Sequence, residues 1–205
     1  MTKMMNSKKI VFIAMMGALG NAMFIVSQTV FRTTQIALDL SHVGTLIAAI
    51  FGGPWIGLAT GLLVGVGPGL YFGYYGGSLG LLGLIGLPVG KALTGFTVGY
   101  LGRLFKIGES RYSSWKIIPL TLVGYVPEAI FTAFYFQTLI ALLLPDTAAY
   151  FISVFGSLNL LVISVLTKAW LEMTLMSVFM GALTGNTGFT QFMRHNFSRV
   201  AERSV

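Results

Sequence analysis

The strongest constraint on this fold is a succession of long apolar runs, each ended by glycine, proline or basic residues. Hydrocarbon offers a backbone no water to bond. An apolar run of ~20 residues therefore crosses a bilayer as a helix that satisfies its own amides and carbonyls. The runs and their breakers predict six spans, at residues 10–28, 40–52, 55–66, 78–101, 117–139 and 150–183, with a basic cytoplasmic tail over 184–205. The sixth is longer than one crossing requires, so a tilt, a break or a protruding end is expected there. The reading is a single all-α integral membrane domain over 1–205.

Only 9% of the residues are charged, against ~25% in an average soluble domain, which excludes a water-soluble fold. The formal net charge of +7 would otherwise suggest a nucleic-acid partner. The cations, however, sit in short flanks between apolar runs, so no nucleic acid is expected. The chain has no cysteine, which removes disulfides, thiolate metal sites and cysteine nucleophiles. Lys8 and Lys9 precede the first run as in a secretory leader. That run exceeds a ~7–15-residue leader core, so it reads as a retained first span.

The least certain boundary is Gly52-Gly53-Pro54, where one kinked helix over 40–66 would reduce the count to five. Charge counting favours six. Lys3, Lys8, Lys9, Arg103, Lys106, Arg111, Lys116, Arg194, Arg199 and Arg203 then share one face, and Arg32 alone occupies the other. Cations concentrate on the cytoplasmic side, so both termini are expected there, in a multi-pass protein of the cell membrane.

Four ionisable residues fall near the middle of apolar runs: Lys91, Glu128, Lys168 and Glu172. A charge at mid-bilayer costs ~2.5–3.5 kcal/mol on the lenient insertion scale, so such residues pair, line a polar cavity or hold a ligand. Their formal charges cancel, and Lys168 and Glu172 are one helical turn apart, so a purely structural network is the competing reading. Tyr125, Tyr135, Gln137, Asn159 and Trp170 could complete a small-molecule pocket, although each alone also fits ordinary packing or an interfacial anchor.

Small residues give a second pattern. Ala14, Ala18 and Ala22 make a smooth strip on the first span. Gly53, Gly57, Gly61 and Gly65 mark one face of the third, and Gly80, Gly83, Gly86 and Gly90 a face of the fourth. Such faces let helices approach closely in lipid. The same four-residue spacing continues through Gly69, Gly73 and Gly77, which the sequence places in a loop opened by Gly67-Pro68-Gly69. The stretch Gly86-Leu-Pro-Val-Gly90-Lys91-Ala92 lacks the spacing and the Ser or Thr of a phosphate loop, so the chain is not expected to bind nucleotide. His42 and His195 have no neighbours at metal-ligand spacing, no hydrolase pattern is present, and neither a metal, a cofactor nor enzyme activity is expected.

Residues 38–57 read LDLSHVGTLIAAIFGGPWIG. With the alanine strip, this stretch resembles the substrate-binding S components of energy-coupling factor (ECF) vitamin transporters, and the resemblance extends over about residues 10–183. It implies a high-affinity binding subunit without an ATPase of its own, associated with a transmembrane coupling subunit and two ABC-type ATPases. It further implies that Ala14, Ala18 and Ala22 face the coupling subunit. The loop at 29–39, with Arg32 and Gln35, would lid an outward pocket lined from the last three spans. Riboflavin-type members carry an Asn and a Lys close together in the sixth span, where this chain has Lys168-Ala-Trp-Leu-Glu172. Several members place charges after the third span, where this chain has Gly67-Pro68-Gly69. The identity of the ligand therefore stays open.

Vitamin capture followed by ATP-driven reorientation against the partners is the leading expectation. A stand-alone proton-coupled secondary transporter using Glu128 or Glu172 as a relay is the alternative, although no inverted repeat is evident between the halves. An intramembrane enzyme with a buried carboxylate as base is a third reading without a supporting motif.

Overall fold

The structure, a computed structural model, describes residues 7–30, 38–107 and 115–198. The described chain forms helices α1 (Ser7–Val30), α2 (His42–Gly52), α3 (Pro54–Leu70), α4 (Gly80–Leu104), α5 (Ile117–Phe134), α6 (Ile140–Leu143), α7 (Pro145–Phe155), α8 (Leu158–Gly185) and α9 (Thr187–Met193). A π-helical turn at Tyr71–Tyr75 prolongs α3, and another at Tyr135–Leu139 joins α5 to α6. Five continuous helical stretches are long and apolar enough to cross a membrane: Ser7–Val30, Pro54–Tyr75, Gly80–Leu104, Ile117–Leu143 and Leu158–Gly185. The protein is a multi-pass, all-α integral membrane protein.

The count of six transmembrane helices is overturned at α2. Its 11 residues extend about 16 Å at ~1.5 Å per residue, roughly half of a ~30 Å hydrocarbon core. Nine of those residues are buried, so α2 presents almost nothing to lipid and is sheathed by α1, α3 and α4. Gly53, at φ +86°, then reverses the chain into α3, with Pro54 opening the new helix where its missing N–H costs nothing. Charge counting could not detect this, because a short buried helix reverses the chain as a span does. Phe12 near the start of α1 accordingly stacks on Phe197, with ring centroids 4.4 Å apart, so the two described ends of the chain meet.

The third apolar run does not end at Val66. Gly67, Pro68 and Gly69 lie within α3 rather than opening a loop. Asn21 of α1 explains how the helix tolerates Pro68. Its Nδ2 donates to the Leu63 carbonyl at 2.9 Å and its Oδ1 accepts from the Gly67 amide at 2.8 Å. Those are the two groups that an ordinary i→i−4 bond would join, so the Asn21 amide bridges the ladder one residue before the proline.

Glycine sets the spacing of the central helix pair. A methyl group on Gly57 would strike the Gly95 carbonyl, and one on Gly95 would strike the Gly57 carbonyl. Gly61 lies on the backbone of Lys91, and Gly65 on that of Pro88. The series continues with Gly69 against Gly83 and Leu84, and Gly73 against Gly80, so the later glycines extend one antiparallel seam between α3 and α4. Van der Waals contact between backbones is the main source of helix attraction in lipid, and this seam maximises it.

The main core surrounds α2 at the half of the bundle near the chain ends, with Phe12, Leu46, Val98, Ile117, Met173 and Met180 at its centre. A smaller cluster of Leu79, Tyr135, Ile140 and Ala148 closes the far end. Between the two the bundle is hollow.

Candidate functional site

The chamber has a volume of about 860 Å³ and is lined from α2 and the preceding Asp39, α3, α4, α5, α7, α8, the two π-helical turns and the segment 76–79. Its floor is polar. Lys91 projects from mid-α4, past the turn in which Pro88 leaves the Leu84 carbonyl without its usual amide, and its Nζ lies 3.0 Å from Asp39 Oδ2. Asp39 stands just before α2, where its Oδ1 accepts from the Ser41 amide at 2.8 Å in an Asx-type turn. The Asp39 amide donates to Glu172 Oε1 from α8. That same oxygen is 3.3 Å from Lys168 Nζ, one turn earlier. His42, the first residue of α2, places Nε2 3.3 Å from Glu128 Oε1 of α5, and Thr94 of α4 donates to Glu128 Oε2. Two carboxylates, Glu172 and Asp39, thus adjoin at the centre, each with its own lysine, and the His42–Glu128 pair stands beside them.

Burial gives these contacts their weight. The side chains of Lys91 and Glu172 are 4% and 8% exposed, whereas Lys168 is 30% exposed and reaches into the open part of the chamber. Removing one member of a buried pair costs ~3–5 kcal/mol because it strands the other. Burial pushes the Asp39 carboxyl upward, but Lys91, aided by His42 and Ser41, outweighs it and holds the group well below the usual carboxylate range.

Ser27 locks this segment in place. It is fully buried on α1, donates to the Met23 carbonyl at 2.7 Å and accepts from the Leu40 amide at 3.1 Å. Glycine permits the approach: Gly44 lies against the Met16 carbonyl and Gly20 at the middle of α1, so α2 packs closely on α1 and holds His42 and the preceding Asp39 within the bundle.

Above the floor the walls are aromatic. Tyr125 stands edge-on to His42 and to Trp170, at centroid distances of 6.4 and 5.3 Å. Tyr135 packs against Phe131 and Phe136, and Phe136 against Phe151 of α7. Along α7 the lining residues Thr147, Tyr150, Phe151, Val154 and Phe155 recur at helical spacing, so one face of this short helix walls the chamber. Leu144 and the positive-φ Gly156 bound α7, and Thr147 Oγ1 reaches the Ser78 carbonyl at 3.3 Å.

Of the ligand-binding residues expected from sequence, Lys91, Glu128, Lys168, Glu172 and Tyr135 line this one chamber. Trp170 does not line it and instead backs Tyr125. Asn159 is also elsewhere: it accepts from Gln137 Nε2 at 3.1 Å on the exposed side of the bundle, which ties α8 to the π-helical turn after α5. Arg32 and Gln35, assigned to a lid, lie outside the described residues. Ala14, Ala18 and Ala22 lie on the exposed face of α1, opposite Ile13, Gly17, Gly20 and Phe24, which are buried.

Sequence reasoning missed Asp39 and His42 as members of the site. A signal existed: Asp39 is the only acidic residue before Glu109 in a strongly basic chain. Compared with known proteins, the chain matches no family model, no curated protein and no solved structure.

Proposed function

We propose that the protein is a substrate-capturing transport subunit of the ECF type, which holds a vitamin-sized molecule and delivers it through partner subunits. The observation that carries this reading is the chamber: about 860 Å³ within a bundle of apolar helices, with a charged floor and aromatic walls. Its size falls in the ~300–1,000 Å³ range of small-molecule sites, and a few convergent polar groups in an apolar setting are their usual make-up. Charges so costly to place in lipid are retained where they meet a solute.

The resemblance of residues 38–57 to S components adds the partners. Ala14, Ala18 and Ala22 form an exposed, nearly flat strip that suits transient docking of a transmembrane coupling subunit. In this reading two ABC-type ATPases supply the energy and the chain itself catalyses no reaction.

The test is purification of the full chain from its native membrane in mild detergent, followed by mass spectrometry of bound small molecules and bound proteins. A near-stoichiometric vitamin or precursor, together with a membrane subunit and ATPases, is the expected result. An empty protein that transports a solute in proteoliposomes on a pH gradient alone would overturn it in favour of a secondary carrier.

A further inference from the structure

The following rests on the chamber being a ligand site and specifies what that site takes. The chain has 13 lysines and arginines and six acidic residues, yet the chamber reverses the balance. Asp39, Glu128, Asp146 and Glu172 line it, against Lys91 and Lys168 alone among the described lysines and arginines. Lys91 is already engaged by Asp39, and Lys168 by Glu172. Asp146 is exposed at the start of α7, so with His42 neutral the deeper carboxylates exceed the lysines by one charge. A buried charge without a partner is costly, so a cationic occupant is favoured.

The hydrogen-bonding capacity left open points the same way. Both oxygens of Glu128 are taken, by His42 and Thr94. Glu172 uses Oε1 for Lys168 and the Asp39 amide, and Oε2 has no partner among the described residues. His42 is 6% exposed and spends Nε2 on Glu128, while its buried Nδ1 has no partner. In the neutral ring that Nδ1 is an acceptor, because Nε2 carries the proton facing the carboxylate. The Tyr135 hydroxyl, on a side chain 4% exposed, is also buried without a partner, but as both donor and acceptor it favours neither a cation nor an anion. An acceptor without a donor is costly, and a ligand N–H at Glu172 Oε2, the oxygen left open on the chamber wall, would satisfy it. The walls above, built from Phe72, Phe131, Tyr135, Phe136 and Phe151, offer ring faces to a flat body and to a delocalised cation.

We infer that the chamber takes an organic cation carrying N–H donors on a flat aromatic body, with its charged end at Glu172 and His42 and its rings among the aromatic walls. Carboxylate-bearing solutes are disfavoured, because they would add to the surplus negative charge.

Three probes with one aromatic body separate the possibilities: biphenyl amidinium, biphenyl carboxamide and biphenyl carboxylate, titrated against the full chain in detergent with tyrosine and tryptophan fluorescence as readout. The amidinium is expected to bind at least about tenfold more tightly than the other two. Glu172→Gln should weaken amidinium binding by about tenfold, and Lys168→Gln should strengthen it several-fold. Opposite shifts from neighbouring positions cannot come from misfolding, which weakens binding in both variants. If the carboxylate binds as tightly as the amidinium, or both substitutions shift affinity in one direction, the cation assignment is overturned while the chamber stands as a ligand site. If none of the three binds, the cation assignment falls, and the ligand-site reading then depends on the co-purified molecule.

Discussion

Lys91 and Asp39 are 52 residues apart in the chain, yet the ammonium and carboxylate groups meet at 3.0 Å inside the bundle. This contact ties the segment before α2 to the middle of α4, and through the Asp39 amide it reaches Glu172 on α8. The floor of the chamber thus depends on a connection that leaves the long helices altogether.

Breaking this pair on one side should be far worse than removing both charges. Lys91→Met alone leaves the half-buried Asp39 carboxylate without its cation and should destabilise by up to ~3 kcal/mol. Lys91→Met combined with Asp39→Asn should recover much of that loss. Thermal unfolding of the two single variants and the double variant in detergent measures the coupling, and additive losses would refute it.

The same pair fixes a pH dependence. The folded Asp39 carboxyl lies below the usual carboxylate range, whereas the unfolded group titrates near ~3.9. Its contribution to stability is therefore complete above the unfolded value and is lost as pH falls through the folded one. The stability gap between the wild type and Asp39→Asn should stay constant from neutral to mildly acidic pH and close only below the ordinary carboxylate range. Melting curves of both proteins across that interval check this.

Asn21 should behave as part of the backbone of α3. Asn21→Leu keeps the branched outline but abandons the Leu63 carbonyl and the Gly67 amide, one residue before Pro68. A loss of ~1–3 kcal/mol is expected, together with faster hydrogen exchange at Gly67. Unchanged exchange there would show that α3 needs no such bridge.

The glycine seam predicts a contrast between chemically identical substitutions. Gly57→Ala and Gly95→Ala each drive a methyl into the opposing carbonyl and should separate α3 from α4, lowering thermal stability. Gly102→Ala, with nothing within 4 Å of the added carbon, should be neutral or stabilising by up to ~1 kcal/mol. Thermal melts of the three proteins side by side decide it.

The alanine strip tests the partner reading apart from the fold. Ala18 is exposed on α1 and away from the chamber. Ala18→Leu should leave stability within ~0.5 kcal/mol and ligand binding intact while blocking uptake. Loss of binding with assembly preserved would place the strip elsewhere in the mechanism.

Sequence alone determined that this chain is an all-α membrane protein, because in hydrocarbon an apolar run must satisfy its own backbone and only a helix does so. It also singled out Lys91, Glu128, Lys168 and Glu172, because a charge inside an apolar run is costly wherever the run folds. Tertiary structure decided the rest. Whether residues 42–52 span or hide depends on the neighbours that sheathe them, and α1, α3 and α4 do so through glycine contacts that hydropathy does not weigh. Asp39 looks like an ordinary loop residue and His42 like an isolated polar residue at the start of a short apolar run, until packing sets them beside Lys91 and Glu128. Composition and spacing report the cost of a residue along its own segment. The pairing that offsets this cost comes from segments brought together only by packing.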